Sequence, residues 1–180
     1  MRIALFGGSF DPPHLGHVYA ALHAYVVGDV DEVWVLPVAH HPYGKALSPF
    51  QQRWELARAA FGELPGVRLS DAEQDNLQGH TITLIESLMD RHPGTTWVLV
   101  GGSDTEADLI NWHRGPELTK LVEVHAVPRR GYDDHPAALP ELSSTLIRQY
   151  IAAGNSIHGL VPREVERLIA NHRWYQLAAS

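Results

Sequence analysis

The stretch that decides the fold is Gly7-Gly8-Ser9-Phe10-Asp11-Pro12-Pro13-His14-Leu15-Gly16-His17, which follows the apolar run RIALF at 2–6 without a break. An apolar run ending in paired glycine reads as a buried strand that stops at a sharp turn. Beyond it, 14–27 places apolar side chains at Leu15, Val18, Leu22 and Val26, the spacing of an amphipathic helix. The unit is strand, glycine turn, helix, and its chemistry lies in the turn. Gly7 and Gly8 let the backbone bend sharply and approach a ligand with no side chain between. Ser9 offers a hydroxyl, and Pro12 and Pro13 fix the entry into the helix that opens near His14. The first N–H groups of a helix have no intrahelical partners and attract phosphate. His14 and His17 share one face of that turn, with Gly16 between them. Together these features read as a phosphate cradle.

The same residues admit plainer readings. A glycine turn can serve tight packing alone, and His-x-x-His can be a metal pair or two surface histidines. Asp11, placed before two prolines, suits an Asx-type turn and is not assigned to a metal. The stretch has neither the G-x-G-x-x-G spacing of a dinucleotide site nor the Gly-Lys-Ser/Thr of a P-loop.

Working outward, strand patterns recur at 33–36 (VWVL), 67–69, 96–100 (TWVLV) and 121–127 (LVEVHAV). Helical patterns fall at 50–61, 81–91, 143–153 and 162–172, the last with Pro162 in its first turn. The irregular segment 129–141 reads as an exposed loop. Strands alternating with helices predict an α/β fold. It is Rossmann-like and doubly wound, a mostly parallel five-stranded sheet with helices on both faces. In such sheets ligands bind beyond the carboxyl ends of the strands, where strand order switches. One domain over 1–180 is expected, with a C-terminal helical segment at about 143–175.

Composition narrows the partners. With 14 basic against 21 acidic residues the net charge is −7, which argues against nucleic acid or a membrane surface as partner. Any anion must therefore be held locally. The absence of cysteine excludes a disulfide framework and thiolate chemistry. No run is apolar for the length of a membrane span, and a cytoplasmic location is expected. No helix shows an apolar stripe separable from core, so the pattern defines no oligomeric state.

GGSFDPPHLGH resembles the nucleotide-binding motif of the nucleotidyltransferases that share a His-x-Gly-His signature with class I aminoacyl-tRNA synthetases. Its form is most similar to that of the nicotinate/nicotinamide mononucleotide adenylyltransferase family. LSSTLIR at 142–148 resembles that family's second signature, and WVLVGGSDTEADLINWHRGPEL at 97–118 with AVPRRGY at 126–132 is similar to its central block. The chemistry of the second motif agrees. Ser143, Ser144 and Thr145 stand where a helix would start, and Arg148, one turn in, offers a fork of donors to a phosphate. Taken alone, an ordinary capped helix with a surface arginine would look the same.

The resemblance implies an enzyme of NAD biosynthesis. It would move AMP from ATP onto the 5′-phosphate of nicotinate or nicotinamide mononucleotide and release pyrophosphate. By resemblance, Gly7, Gly8, Ser9, Phe10, His14 and His17 meet ATP, Gly101, Gly102 and Asp104 hold its adenosine, and Ser143, Ser144, Thr145 and Arg148 hold its phosphates. His14, His17 and Arg148 are the implied catalytic residues, and Lys45, Thr81, Trp112 and Arg130 the implied acceptor contacts. Mg²⁺ is implied mainly on the ATP phosphates, without metal ligands from the protein.

Two segments depart from the family pattern: HHPYGK at 40–45, and NLQGHTITL at 76–84, where the family carries an arginine and a Ser-Tyr-Thr segment. They leave nicotinate and nicotinamide both open. Phosphopantetheine adenylyltransferases, glycerol-phosphate cytidylyltransferases and a non-catalytic nucleotide-binding regulator are the alternatives. Trp112 with the block at 129–132 weighs against the first two, and intact His14, His17 and Arg148 weigh against the third.

Overall fold

Burial along the strands alternates between two cores, as a sheet covered on both faces requires. The computed structural model describes residues 1–40, 44–103, 105–128 and 142–176. Its strands are β1 (Arg2–Gly8), β2 (Glu32–Pro37), β3 (Val67–Leu69), β4 (Thr96–Gly102) and β5 (Glu123–Val127), in the order β3-β2-β1-β4-β5 with every pair parallel. The helices are α1 (Leu15–Val27), α2 (Phe50–Phe61), α3 (Thr81–Arg91), α4 (Thr105–Asp108), α5 (Gly115–Leu121), α6 (Ser144–Ala152) and α7 (Arg163–His172). Ala4, Phe6, Val33, Val35, Val98 and Val100 pack with buried residues of α1, α2, α6 and α7. Their neighbours Ile3, Leu5, Trp34, Leu36, Trp97 and Leu99 pack on the other face with α3, Leu109 and Leu118. The expected five-stranded α/β sheet is thus present, and its described pairings are wholly parallel.

Strand order places the site. The chain builds outward from β1 to β2 and β3, then returns to the other side of β1 for β4 and β5. At this switch β1 ends on Gly7 and Gly8 and β4 on Gly101 and Gly102, and ladder pairing between the two strands stops at Leu5–Leu99.

Helix α1 buries a different face from the one its spacing predicts. Leu15 and Val26 are 40% and 75% exposed, while Ala20, Ala21 and Ala24 are buried. Alanine brings the helix close to the sheet; Val18 packs at the edge of that core, and Leu15 and Val26 face outward. Two further readings shift. Leu121, expected to open the last strand, closes α5, because Leu118 anchors that turn in the core and the Val122 N–H caps it on the Leu118 carbonyl. Pro162 precedes α7 as its cap residue, one position before the helix begins. The loop expected at 129–141 lies outside the described residues.

The alanine face yields a test. Ala21→Leu should destabilise the protein by about 1–3 kcal/mol through overpacking, whereas Val26→Asp should change stability by less than about 0.5 kcal/mol. Urea denaturation of both variants checks this, and the reverse ranking would contradict the packing of α1.

Candidate active site

The loop between β1 and α1 is irregular and mostly buried, so its backbone groups need partners outside regular structure. Side chains from distant elements supply them. Arg53 of α2, only 1% exposed, donates to the Ser9 carbonyl at 3.0 Å and to the Ser48 carbonyl at 2.9 Å. Arg148 of α6 donates to the Asp11 carbonyl, and Ser144 Oγ donates to the Pro12 carbonyl at 2.8 Å. The Asp11–Pro12 peptide is cis. The Asp11 carboxylate, 4% exposed, accepts from the Ser48 N–H at 3.1 Å and from the Tyr175 hydroxyl at 2.8 Å. Burial lowers the Arg53 guanidinium from its usual range, an effect opposed by the nearby Asp11 charge. The Tyr175 phenol is pushed up by burial first and by the Asp11 charge second.

Phe10 anchors the loop. Its backbone is left-handed, with φ 48°, and its ring is 1% exposed, edge-on to Phe6, Phe61 and His17. That conformation costs a non-glycine residue about 1–3 kcal/mol, and burying the ring recovers a comparable amount. The side chain therefore belongs to the core, and any ligand contact at Phe10 falls to its backbone.

His14 and His17 stack in parallel, with ring centroids 3.7 Å apart. The His14 backbone N–H donates to His17 Nδ1 at 3.2 Å, which places the proton of the neutral His17 ring on Nε2. A Cβ at Gly16 would stand 3.1 Å from the His14 ring, so a side chain there would press on the stack by a few tenths of an ångström. The helix N-terminus contributes less than its sequence suggests. The Leu15 N–H donates to the Leu160 carbonyl at 3.0 Å and the His17 N–H to the His14 carbonyl at 2.9 Å, so these two donors are already spent. On α6, Ser143 Oγ accepts from the Leu146 N–H as a helix cap, and Thr145 Oγ1 accepts from Arg148 at 3.4 Å. The hydroxyls of the second signature thus serve the helix and the loop. The guanidinium of Arg148, with five N–H groups, keeps further donors beyond these two bonds.

Beside this loop a cavity of about 270 Å³ opens at the strand-order switch. Its lining includes Gly7, Gly8 and Ser9 of the glycine turn, Gly79, His80 and Thr81, Trp112 and His113, and the apolar side chains Leu5, Leu36, Leu84 and Leu99. Of the residues singled out in the sequence, Gly7, Gly8, Ser9, Thr81 and Trp112 line it. His14, His17 and Arg148 stand at the adjoining loop, and Lys45 is exposed and does not line the cavity. Asp104 and Arg130 lie outside the described residues. Sequence reasoning missed Glu73, His80, Thr105 and His113. His80 and His113 meet from separate elements, stacked with centroids 4.0 Å apart, a pairing that no local pattern announces. Glu73 is buried against Asn76, which donates to it at 2.9 Å. Burial pushes the Glu73 carboxyl above the usual range, and the Asn76 bond pulls it part of the way back.

This geometry, a glycine turn and stacked histidines at the switch of a parallel sheet, can be compared with known proteins. The cytidylyltransferase-like family model matches residues 5–150. A protein of Anaeromyxobacter dehalogenans named "Probable nicotinate-nucleotide adenylyltransferase" is 41% identical over 97% of both chains. The chain belongs to the nicotinate-nucleotide adenylyltransferase family. A Thermus thermophilus member of the same name is 34% identical over 98% of this chain and 100% of its own. The fold is shared with the Plasmodium falciparum nicotinic acid mononucleotide adenylyltransferase solved in complex with NaAD, with a TM-score of 0.83 at 20% identity over 97% of each chain. Membership makes this chain a nucleotidyltransferase of NAD biosynthesis. Among the described residues no helix is long and apolar enough to cross a membrane.

Glu73 gives a pH test. The folded protein holds its proton more tightly than the unfolded chain does. The resulting stability is full below the ordinary glutamate range and is lost as pH rises through the raised value. Glu73→Gln, which keeps an acceptor for Asn76, should therefore gain on the wild type in melting temperature between about pH 4 and about pH 7. A difference that stays constant across that range would contradict the burial of a carboxyl there.

Proposed function

We propose that this enzyme joins ATP to nicotinate mononucleotide. An oxygen of the mononucleotide 5′-phosphate attacks the α-phosphorus of ATP, the bond from that phosphorus to the β-phosphate bridging oxygen breaks, and pyrophosphate leaves. The observation that carries this reading is the continuity of one cavity from the glycine turn to Trp112 and Thr81. Phosphates meet backbone at one end, and a flat ring has an apolar, aromatic slot at the other. The attacking phosphate has a second pKa of about 6, so it is largely ionised at neutral pH and needs no strong base. Positioning and charge neutralisation supply the rate.

In this reading His17 directs its Nε2–H at the phosphates, where charge builds on the leaving pyrophosphate, and His14 contacts the α-phosphate region. Arg148 holds the triphosphate from the side of α6, with Ser143, Ser144 and Thr145 shaping that helix start. Gly101, Gly102 and Asp104, at the end of β4 and just beyond, receive adenosine. Thr81 and Trp112 face the pyridine ring, Lys45 approaches the acceptor phosphate, and Arg130 is a further acceptor contact. The Asp11 carboxylate is engaged by Ser48 and Tyr175, so the donors at the loop suit an Mg²⁺ carried in on the triphosphate, with phosphate and water as its ligands. That ion would neutralise phosphate charge. The chain works as one nucleotidyltransferase domain over 1–180, with 143–175 as part of it. A cytoplasmic location completes the reading.

Purified protein with Mg-ATP should release pyrophosphate when given nicotinate mononucleotide, and far more slowly with nicotinamide mononucleotide, phosphopantetheine or glycerol 3-phosphate. Turnover with none of the four would end the enzyme reading, and preference for either of the last two would end the assignment of the acceptor. His17→Ala should lower kcat by about two to three orders of magnitude, the scale of losing one transition-state donor. Near-normal turnover would leave that ring a structural part of the stack.

A further inference from the structure

The described chain closes with a turn after α7 in which Arg173 and Tyr175 both take left-handed backbone angles, φ 54° and 63°. Non-glycine residues persist in that region only where their surroundings hold them. Backbone bonds from Arg173 and Trp174 to the end of α7 and packing of Trp174 and Tyr175 on the core hold this turn, together with two side-chain contacts. Trp174 stacks on His172, with centroids 4.5 Å apart at 12°, and the Tyr175 hydroxyl donates to Asp11 Oδ1 at 2.8 Å. The second contact joins residues 164 positions apart and ends on a carboxylate that is 4% exposed.

Asp11 is also where the two signatures touch. Its own carbonyl accepts from Arg148, the next carbonyl, of Pro12, accepts from Ser144, and its second carboxylate oxygen accepts from the Ser48 N–H. Rotation of the Asp11 side chain strains the same residue whose carbonyl orients Arg148. A buried carboxylate that loses a donor must move to find another, because its desolvation is otherwise uncompensated.

We propose that Tyr175 is a positioning residue for nucleotide binding: acting through the Asp11 carboxylate, its hydroxyl sets the register between the glycine-histidine loop and Arg148. The inference rests on reading that loop as the grip on ATP. It makes the turn after α7 part of the site's framework, although Tyr175 touches no reacting atom.

Tyr175→Phe is the direct test, since it removes the hydroxyl and keeps the buried ring. Mg-ATP affinity is measured by calorimetry well below the variant's melting temperature, alongside kcat and the acceptor KM. Losing a hydrogen bond to a charged group predicts about a tenfold weaker ATP affinity and a similar fall in kcat, with the acceptor KM within about twofold. Asp11→Ala, which removes the acceptor itself, should show the same split. The double variant should lose less than the product of the single losses, because both remove one interaction. Unchanged ATP affinity in the folded variants, equal weakening of both substrates, or independent multiplying effects would each overturn the proposal. If the wild type turned over no acceptor, the proposed reaction would fail, but the ATP-affinity comparison would still decide the role of Tyr175.

Discussion

The structure depends on satisfying the carbonyls of an irregular, buried loop. Between β1 and α1 the chain leaves regular hydrogen bonding, yet the carbonyls of Ser9, Asp11 and Pro12 are enclosed by α2, α6 and the turn after α7. Arg53, Arg148 and Ser144 meet these groups one by one. A buried carbonyl without a donor would cost about as much as a lost hydrogen bond, so these side chains and the loop conformation require one another. Phe10 completes the constraint by placing its ring in the core at the cost of a left-handed backbone.

Function follows from that rigidity. Adenylyl transfer asks a protein mainly to hold two polyanionic nucleotides in line, with donors already in place where charge will develop. The bonds that keep the loop in shape also stack His14 on His17 and draw Arg148 toward the same turn. The net charge of −7 does not oppose this, because His14, His17 and Arg148 stand together at one loop. Besides the glycine turn, the cavity is lined by residues at the start of α3 and in the segment after β4, Thr81, Trp112 and His113 among them.

Much of this was legible in the sequence, and the illegible parts have physical causes. Runs such as VWVL and TWVLV announce strands covered on both faces, and the glycine pairs ending β1 and β4 mark the switch. Both signatures can be read because their residues are contiguous. The buried face of α1 is not legible because hydrophobicity does not encode closeness of approach, and Ala20, Ala21 and Ala24 meet the sheet by their small size. The short α4 and α5 carry no repeating apolar stripe: α4 has four residues, and α5 reaches the core through Leu118. Arg53, Tyr175, and the stack of His80 on His113 are invisible locally, since each acts on a residue brought near only by the fold.

A crystal structure with Mg²⁺ and a non-hydrolysable ATP analogue tests the central claim most directly, that one buried loop and α6 grip the triphosphate from two sides. The expected result has phosphate oxygens within hydrogen-bond distance of both His17 Nε2 and the Arg148 guanidinium, with the Asp11 and Pro12 carbonyls still bonded to Arg148 and Ser144. A triphosphate lying away from both side chains, with the loop unchanged, would contradict it.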